Sequence, residues 1–248
     1  MAGTLHLGTS GFAYEEWRHG VFYPEGVTAS RMLSHYASVF ESVEINYTFR
    51  RFPSEATMRT WLTQTPESFR FALKANQRIT HSRRLRGAGR DVADFLARAR
   101  ELGGRLGPIL FQLPPNLEYD RTLMEEFLAA LPAEPSAAIE FRHPSWRAAW
   151  DLLAERGVAR CVADTDEQPA AEADLSWSPF GYLRLRRATY EQAELAGWAA
   201  RIQQALDGGA DVYCYFKHED SAAGPRMAQA LRSLLVAEHT SRAGEPRK

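Results

Sequence analysis

The sequence predicts an α/β protein with a single-domain (β/α)8 (TIM) barrel, and two observations carry this prediction. Eight short runs alternate apolar with polar residues, a pattern typical of β-strands. Segments with apolar residues at helical spacing separate most of these runs, and strands that alternate with helices indicate a parallel sheet. Eight strands favour a closed barrel over an open doubly wound sheet. No glycine-rich phosphate motif follows the first run, which weakens the dinucleotide-binding alternative.

The predicted elements follow one another along the whole chain. Strands are predicted at 5–10, 42–46, 69–74, 108–112, 138–142, 158–164, 182–186 and 211–217. Helices are predicted at 28–38, 53–62, 91–102, 120–131, 144–156, 191–206 and 225–237. Residues 166–179 contain two prolines and no apolar stripe, so we expect a loop in place of a full helix after strand six. The barrel domain is predicted to span residues 1–238, and residues 239–248 are expected to form a disordered polar C-terminal tail.

Composition restricts the class of protein. A chain of 248 residues with 45% apolar and 25% charged residues is typical of one globular domain. The net charge of −1 gives no overall attraction to nucleic acid or membranes, so a basic site must be local. We see neither a leader-like N-terminal segment nor a membrane-spanning run, and expect a cytoplasmic protein with no membrane partner. Cys161 and Cys214 lack CxxC spacing and are expected to be reduced and buried.

The polar side of the alternating runs has a functional meaning in a closed barrel. One face of each strand then lies under the helices and the other points inward, so inward polar groups must pair or meet a ligand. Near the strand ends the polar side holds Glu44, Asn46, Lys74, Gln112, Glu140, Arg142, Asp164, Arg184, Arg186 and Lys217. Five of these residues are cations and three are anions, and an anionic ligand such as a phosphate or carboxylate would balance the excess. The alternative is an internal salt-bridge network whose surplus arginines reach solvent.

The end of strand five concentrates chemical groups. Glu140 and Arg142 have inward parity, and His143 precedes a proline, which favours extended backbone and then a helix start. Glu140 and His143 are candidate acid/base catalysts, because histidine titrates near neutral pH and burial raises the pKa of a carboxyl. Arg142 is a candidate anion clamp. The alternative is that Arg142 pairs with another interior carboxylate while His143 caps the next helix.

Strand three and the loop after it add a second group of candidates. Lys74 ends the strand, where a lysine among cations can clamp an anion or, with a lowered pKa, serve base or Schiff-base chemistry. The structural alternative is an ordinary pair with a carboxylate. His81 follows in the loop beside Arg83, Arg84 and Arg86, which form either a local basic patch or a solvated loop.

Aromatic residues and carboxylates suggest two other kinds of site. Tyr14, Trp17 and Trp146 are candidates for stacking a sugar or base, or they close the end of the barrel. Three carboxylates with inward parity and a histidine could together bind a divalent metal. The lysine and arginines among them argue against this, so we assign no metal ligand and predict no cofactor. A divalent metal stays an alternative.

Several motifs carry a family resemblance: Gly8-Thr9-Ser10-Gly11, Trp17, Phe22-Tyr23-Pro24, Val43-Glu44-Ile45-Asn46, Thr48-Phe49, Thr80-His81, Gln112-Leu113-Pro114-Pro115 and Glu140-Phe141-Arg142-His143-Pro144-Ser145-Trp146. Together they resemble the YecE-like family (DUF72), a family of unknown function, over nearly the whole chain. The resemblance implies a TIM barrel and candidate site positions, but no reaction. Family members commonly end strand seven in Tyr-x-Arg-x-His-Gly and carry an asparagine pair after strand eight. This chain has Arg186-Arg187 and Lys217-His218 there, and the added cations favour an anionic ligand.

Three functional hypotheses follow. The first is an enzyme acting on a phosphorylated or otherwise anionic small substrate at the C-terminal ends of the strands. Its candidate catalytic residues are Glu140, His143, Glu44, Lys74 and Asp164, and its candidate binding residues are Asn46, Gln112, Arg142, Arg184, Arg186, Lys217, His81, Tyr14, Trp17 and Trp146. The second is a non-catalytic nucleic-acid or nucleotide binder that uses the basic patch. The third is a metal-dependent phosphoesterase or sugar isomerase. The sequence leaves open whether the protein is an enzyme.

Overall fold

Eight parallel strands form the barrel in the computed structural model, which describes residues 2–170, 174–175, 178–217 and 222–243. Hydrogen-bonded neighbours run in the order β1-β8-β7-β6-β5-β4-β3-β2. A parallel bridge between Ser10 and Glu44 joins the two remaining edges. The strands are β1 Leu5–Thr9, β2 Ser42–Ile45, β3 Arg70–Lys74, β4 Leu106–Gln112, β5 Ala137–Glu140, β6 Ala159–Asp164, β7 Gly181–Leu185 and β8 Val212–Phe216. The predicted (β/α)8 barrel is confirmed.

Helices surround the sheet on its outer side. They are α1 Met32–Val39, α2 Glu55–Gln64, α3 Gly89–Ala99, α4 Arg121–Ala129, α5 Trp150–Glu155, α6 Gln192–Asp207 and α7 Ala223–Ala243. A 3-10 turn, Pro144–Ala149, leads into α5, and a π-helical turn, Arg78–Ser82, follows β3. Between β6 and β7 the described residues form no helix, as predicted. Across the described chain, no helix is both long and apolar enough to cross a membrane.

Several of these helices have a side-chain cap at the N-terminus. Ser54 accepts a hydrogen bond from the Thr57 amide at 3.2 Å at the start of α2. At the start of α6, Glu191 and Glu194 form a reciprocal capping box. Such caps satisfy amides that have no partner inside the helix, and each stabilises the helix by about 1 kcal/mol.

The C-terminal end departs from the prediction. The last helix continues to Ala243, so residues 239–243 are helical rather than part of a disordered tail. Once a helix has formed, each added residue gains a hydrogen bond, and polar residues do not stop this propagation. Residues 244–248 of the predicted tail, residues 171–173 and 176–177 of the predicted loop, and His218 lie outside the described residues.

Two buried layers follow the alternation of the strands. The outer layer packs under the helices and includes Val43, Phe71, Ile109, Ile139, Leu183 and Val212. The barrel interior holds a second cluster of Ala72, Leu110, Ala138, Ala159, Cys161, Tyr182 and Tyr215. Small side chains on some strands leave room for the tyrosines of β7 and β8, which is how a small barrel fills its centre without a pore. Both cysteines are free and buried, as predicted.

One tyrosine hydroxyl connects the edges of the barrel. Tyr36 on α1 accepts a hydrogen bond from the Thr9 amide at 2.7 Å and donates one to the Ser42 carbonyl at 3.0 Å. It therefore bridges β1 and β2. Gly8 lies at the same contact, where a Cβ would come 1.9 Å from the Ser42 carbonyl oxygen and 2.7 Å from the Tyr36 hydroxyl. Only glycine allows the backbones to approach this closely.

We expect Gly8→Ala to destabilise the fold strongly. The added methyl must displace backbone of the neighbouring strand, and overpacking of this kind costs about 1–3 kcal/mol or more. The free energy of unfolding, measured by urea denaturation followed by circular dichroism, reports the loss. Gly104→Ala is the matched control, since nothing lies within 4 Å of its added Cβ. Equal stability of the two variants would contradict this account of the closure.

Candidate functional site

An arginine and two carboxylates from three strands meet inside the C-terminal end of the barrel. Arg184 on β7 donates from its Nη2 to Glu44 on β2 at 2.9 Å, and from its Nη1 to Glu140 on β5 at 2.5 Å. The carboxylate side chains are fully buried, and that of Arg184 is 2% exposed. Weaker contacts run from Arg184 to Gln112 Oε1 at 3.3 Å and Asn46 Oδ1 at 3.4 Å. The structure thus brings five predicted site residues together.

Glu44 is surrounded by hydrogen-bond donors. Besides Arg184, its oxygens accept from the Ser10 hydroxyl at 2.8 Å, the Tyr182 hydroxyl at 2.8 Å and the Asn46 amide at 3.0 Å. Burial alone would raise the pKa of Glu44, but the charge of Arg184 and these donors outweigh it and lower the pKa. Glu44 is therefore an ionised group at neutral pH, held in one orientation.

Glu140 is held by two guanidinium groups. Arg142, whose side chain is 37% exposed at the rim, donates from Nε to Glu140 Oε1 at 2.6 Å, while Arg184 takes the other oxygen. Burial raises the pKa of Glu140, yet the charges of Arg184 and Arg142 lower it overall to about 2. The expectation that burial would bring Glu140 toward neutral pH is wrong, because the opposite charges act at hydrogen-bond distance.

Lys74 lies beside this network without joining it. Its Nζ stands 4.2 Å from the ring centroid of Phe49, in the turn after β2. The Thr48 hydroxyl donates to the Lys74 carbonyl at 2.6 Å and ties that turn to the end of β3. Burial, followed by the charge of Arg184, lowers the pKa of Lys74 to about 8. Among the described residues, no carboxylate lies within ion-pair distance of this ammonium group.

His81 reaches the same aromatic ring. Its imidazole makes an edge contact with Phe49, with the ring centroids 4.9 Å apart, and the Thr80 hydroxyl is 2.9 Å from its Nδ1. Burial and then the charge of Lys74 lower the pKa of His81. Lys74 and His81 thus both contact the ring of Phe49.

Arg186 completes the charged groups at this end of the barrel. Its backbone amide donates to the Asp164 carbonyl at 2.8 Å, while its guanidinium makes no hydrogen bond or ion pair with the described residues. Burial and then the charge of Arg184 lower its pKa, although an arginine stays protonated at any physiological pH. We call Glu44, Glu140, Lys74, Arg142, Arg184 and Arg186 the mouth cluster. It holds four cations and two anions.

Asp164 does not belong to the mouth cluster, contrary to its predicted inward position. On β6 the interior side chains are Ala159 and Cys161, and Asp164 has the parity of Val162, which packs under the helices. Asp164 instead accepts a hydrogen bond from the Ala170 amide at 2.6 Å. Asp164 ends the strand and binds the loop that follows, so its polarity did not indicate a side chain that points into the barrel.

His143 and Trp146 do not contact the mouth cluster; one caps a turn and the other packs in the core. His143 caps the turn after β5, with its Nδ1 2.7 Å from the Ser145 hydroxyl, as in the alternative considered for it. Trp146 is completely buried, stacks on Phe141 with ring centroids 5.1 Å apart, and donates to the Leu117 carbonyl at 2.6 Å. Its ring has no exposed surface with which to bind a ligand.

The aromatic loop after β1 packs as a plug. Trp17 is completely buried and lies against Tyr14, with ring centroids 4.8 Å apart. The Tyr14 hydroxyl donates to the Ser10 carbonyl at 2.7 Å, beside the Glu44 contact. Trp17 is therefore part of the core, and only the half-buried Tyr14 approaches the site.

The loop arginines are largely partnered. Arg83 pairs with Asp91 at 2.9 Å, and Arg84 donates to the Asn116 side chain at 2.9 Å. Arg86 lies 3.8 Å from an Asp120 carboxylate oxygen. Nearby acidic groups offset much of this charge, and the contacts hold the loop against α3 and the segment before α4.

Two further expectations concern Lys217 and a possible metal site. Lys217 directly follows β8, and its amide donates to the Leu185 carbonyl at 2.9 Å, which extends the strand ladder. In the described part of the chain, no three or more histidine, cysteine, aspartate or glutamate side chains are grouped as metal ligands would be. Glu44 and Glu140 both contact Arg184 instead.

Ser10, Phe49 and Tyr182 were not among the candidate catalytic or binding residues, although Ser10 and Phe49 belong to motifs of the family resemblance. Ser10 and Tyr182 have the same parity as the predicted polar set, so the alternation already pointed to them. Phe49, by contrast, lies in a short turn, and no sequence pattern indicated that it would lie over Lys74.

Comparison with known sequences gives a family match. The chain matches the family described as "Protein of unknown function DUF72" over residues 6–248. It is 32% identical to the UPF0759 protein YecE of Escherichia coli K12 over 164 residues, which cover 63% of this chain and 59% of that protein. The match thus spans about three fifths of the length of this relative. The UPF0759 protein YunF of Bacillus subtilis is 22% identical, with 95% of this chain and 96% of that protein covered.

Solved structures give the same picture. A DUF72 family protein from Thermotoga maritima superposes with a TM-score of 0.82 and 25% identity, covering 94% of this chain and 99% of that one. A DUF72 family protein from Enterococcus faecalis gives a TM-score of 0.74 at 16% identity, with 94% and 96% covered, and supports the fold alone.

Replacing Arg184 should be strongly destabilising. In Arg184→Met two buried carboxylates lose their shared counter-charge, and breaking a buried ion pair costs about 3–5 kcal/mol. Urea denaturation at pH 7 measures this loss. Arg90→Met is the control, because the Arg90 side chain is 93% exposed and exposed pairs contribute little. A loss no larger than that of the control would show that the network is not a stabilising element.

The two carboxylates also predict a pH dependence. The folded-state pKa of Glu140, about 2, lies below the usual 4.5, and that of Glu44 is lowered as well. Their contribution to stability is complete above about pH 4.5 and is lost as the pH falls toward about 2. We expect the free energy of unfolding to fall through this window, and Glu140→Gln to have a shallower slope there. Parallel curves for the two proteins would argue against an ionised, stabilising Glu140.

Proposed function

The chain belongs to the DUF72 family, and from the contacts at its barrel mouth we propose that it is an enzyme acting on a small phosphorylated or otherwise anionic substrate. One observation carries the proposal: Lys74 and Arg186 have no carboxylate partner among the described residues, while Glu44 and Glu140 pair with Arg184 and Arg142. A half-buried cation without a counter-charge is costly, and a bound anion offsets that cost.

The count of hydrogen bonds supports this distribution of charge. A carboxylate offers about four lone-pair positions, and Glu44 receives bonds from Ser10, Asn46, Tyr182 and Arg184. Arg184 and Arg142 therefore follow the salt-bridge alternative, since both Nη atoms of Arg184 and the Nε of Arg142 pair with the carboxylates. The other two cations of the mouth cluster, Lys74 and Arg186, do not follow it, and they are the groups that a phosphate or carboxylate would meet.

The proposed roles follow from exposure and protonation. Lys74 and Arg186 bind the anionic group of the substrate, and Arg142, at the rim, contacts it from the solvent side. Glu140 fixes Arg142 and Arg184, and Glu44 fixes Arg184, so the two carboxylates and Arg184 are positioning residues. Lys74 and His81 take over the acid/base role expected of Glu140 and His143. The pKa of Lys74 is lowered toward neutral pH, to about 8, and that of His81 is lowered below its usual 6.5, which leaves a neutral imidazole that can accept a proton. C-terminal strand ends are where barrel enzymes place their catalytic groups.

Titration with inorganic phosphate tests the anion site. We expect Lys74→Met and Arg186→Met each to weaken phosphate binding about 10- to 100-fold, since a charge-assisted hydrogen bond contributes about 1.5–3 kcal/mol. Isothermal titration calorimetry measures the dissociation constant, and added sodium chloride should raise it by screening.

The exposed-arginine variant Arg90→Met serves as the control for this titration. It removes the same charge from an exposed side chain outside the mouth cluster and should leave phosphate binding unchanged. Wild-type protein that binds neither phosphate nor sulfate, or mouth variants that bind as well as the control, would overturn the proposed anion site.

A further inference from the structure

Lysine is rare in this chain, and its placement is informative. The sequence contains 27 arginines and three lysines, Lys74, Lys217 and Lys248. Arginine is thus the usual cation of this protein, including the three arginines of the mouth cluster. An arginine does not lose its proton in proteins, whereas a lysine can provide a neutral amine. Lysine at position 74 offers chemistry that the neighbouring arginines cannot perform.

Burial and neighbouring cations act against the protonated form of Lys74. The Phe49 ring, with its centroid 4.2 Å from Nζ, makes a cation–π contact that favours the ammonium, but no carboxylate of the described residues pairs with it. Arg184 and Arg142 add positive charge nearby, so protonation is disfavoured by both burial and like charges. Desolvation and neighbouring cations are the features that activate lysine nucleophiles.

We propose that Lys74 is a catalytic nucleophile that forms a Schiff base with the carbonyl group of an anionic aldehyde or keto acid. This inference rests on the proposed function, because the anionic group of such a substrate would bind to Arg186 and Arg142. It narrows the substrate class to molecules that carry both a carbonyl and a negative charge.

The step balances without any further reactant. The lone pair of the neutral Nζ attacks the carbonyl carbon, and the carbonyl oxygen takes up a proton to give a carbinolamine. The hydroxyl then leaves as water after it receives a second proton, and the nitrogen gives up its protons as the C=N bond forms. His81 is placed to carry these protons, since Thr80 contacts its Nδ1 and leaves its Nε2 for the exchange.

Reductive trapping of the wild-type protein tests the inference. The protein is incubated at pH 7 with glyoxylate and sodium cyanoborohydride, which reduces an imine to a stable secondary amine. Digestion with a protease that does not cleave at lysine, followed by mass spectrometry, locates the carboxymethyl group. We expect Lys74 to be modified at least tenfold faster than Lys217 and Lys248, which are internal references in the same molecule. In about 8 M urea the protein is unfolded, so the preference for Lys74 should disappear.

Two further arms connect the reaction to the anion site. Inorganic phosphate should protect Lys74 from glyoxylate, and the neutral propionaldehyde should modify Lys74 at least tenfold more slowly than glyoxylate does. Lys74→Arg should abolish the adduct at this position, because a guanidinium stays protonated and forms no imine with the aldehyde.

The outcomes separate this inference from the proposed function. If phosphate binds but glyoxylate shows no preference for Lys74, the nucleophile is overturned and the anion site stands. If glyoxylate and propionaldehyde react equally well at Lys74, the anionic substrate class is overturned. If phosphate does not bind and Lys74 is not modified, both proposals fail.

Discussion

The ion pairs of Arg184 with Glu44 and Glu140 are the constraint on which the mouth of this barrel depends. They connect β7 to β2 and to β5 across the interior, where water is excluded and each charge needs a partner. Arg184 shares both carboxylates, Arg142 takes the second oxygen of Glu140, and three neutral donors complete the contacts of Glu44. The internal network therefore does not neutralise the site, and it leaves Lys74 and Arg186 without a carboxylate partner among the described residues, which is the basis of the proposed anion site.

The layer beneath the mouth supports this arrangement. Tyr182 fills the barrel interior and donates its hydroxyl upward to Glu44 at 2.8 Å, so core packing and site geometry share one side chain. Ser42 contacts Tyr215 at 2.7 Å in the same layer. At the seam, Tyr36 and the close approach at Gly8 bring β2 against β1, which places Glu44 within reach of Ser10. The contacts that close the barrel between β1 and β2 therefore also position Glu44 in the site.

The tertiary structure gives several of the predicted site residues a role that differs from the predicted one. Glu140 was expected to be an acid/base group because burial raises the pKa of a carboxyl, but two arginines at hydrogen-bond distance reverse the direction. His143 was a candidate because of its neighbours in sequence, and it caps a turn. Lys74 and His81 are linked through Phe49, a contact between a turn, a strand end and a loop. Spacing along the chain indicates which groups reach one end of a barrel, but not which of them touch.

Local alternation was sufficient for the strand count, the barrel, and the inward direction of the polar residues that end β2, β3, β4, β5 and β7, because a two-residue period is a property of the strand itself. It failed at Asp164, where the polar residue that ends the strand serves the next loop. The ion-pair partners of the charged residues could not be predicted from this alternation. Glu44 and Arg184 are 140 positions apart, and only the closed sheet brings them within 2.9 Å. Which cations are satisfied and which remain for a ligand is consequently decided by the tertiary structure, since it depends on distances that no local pattern contains.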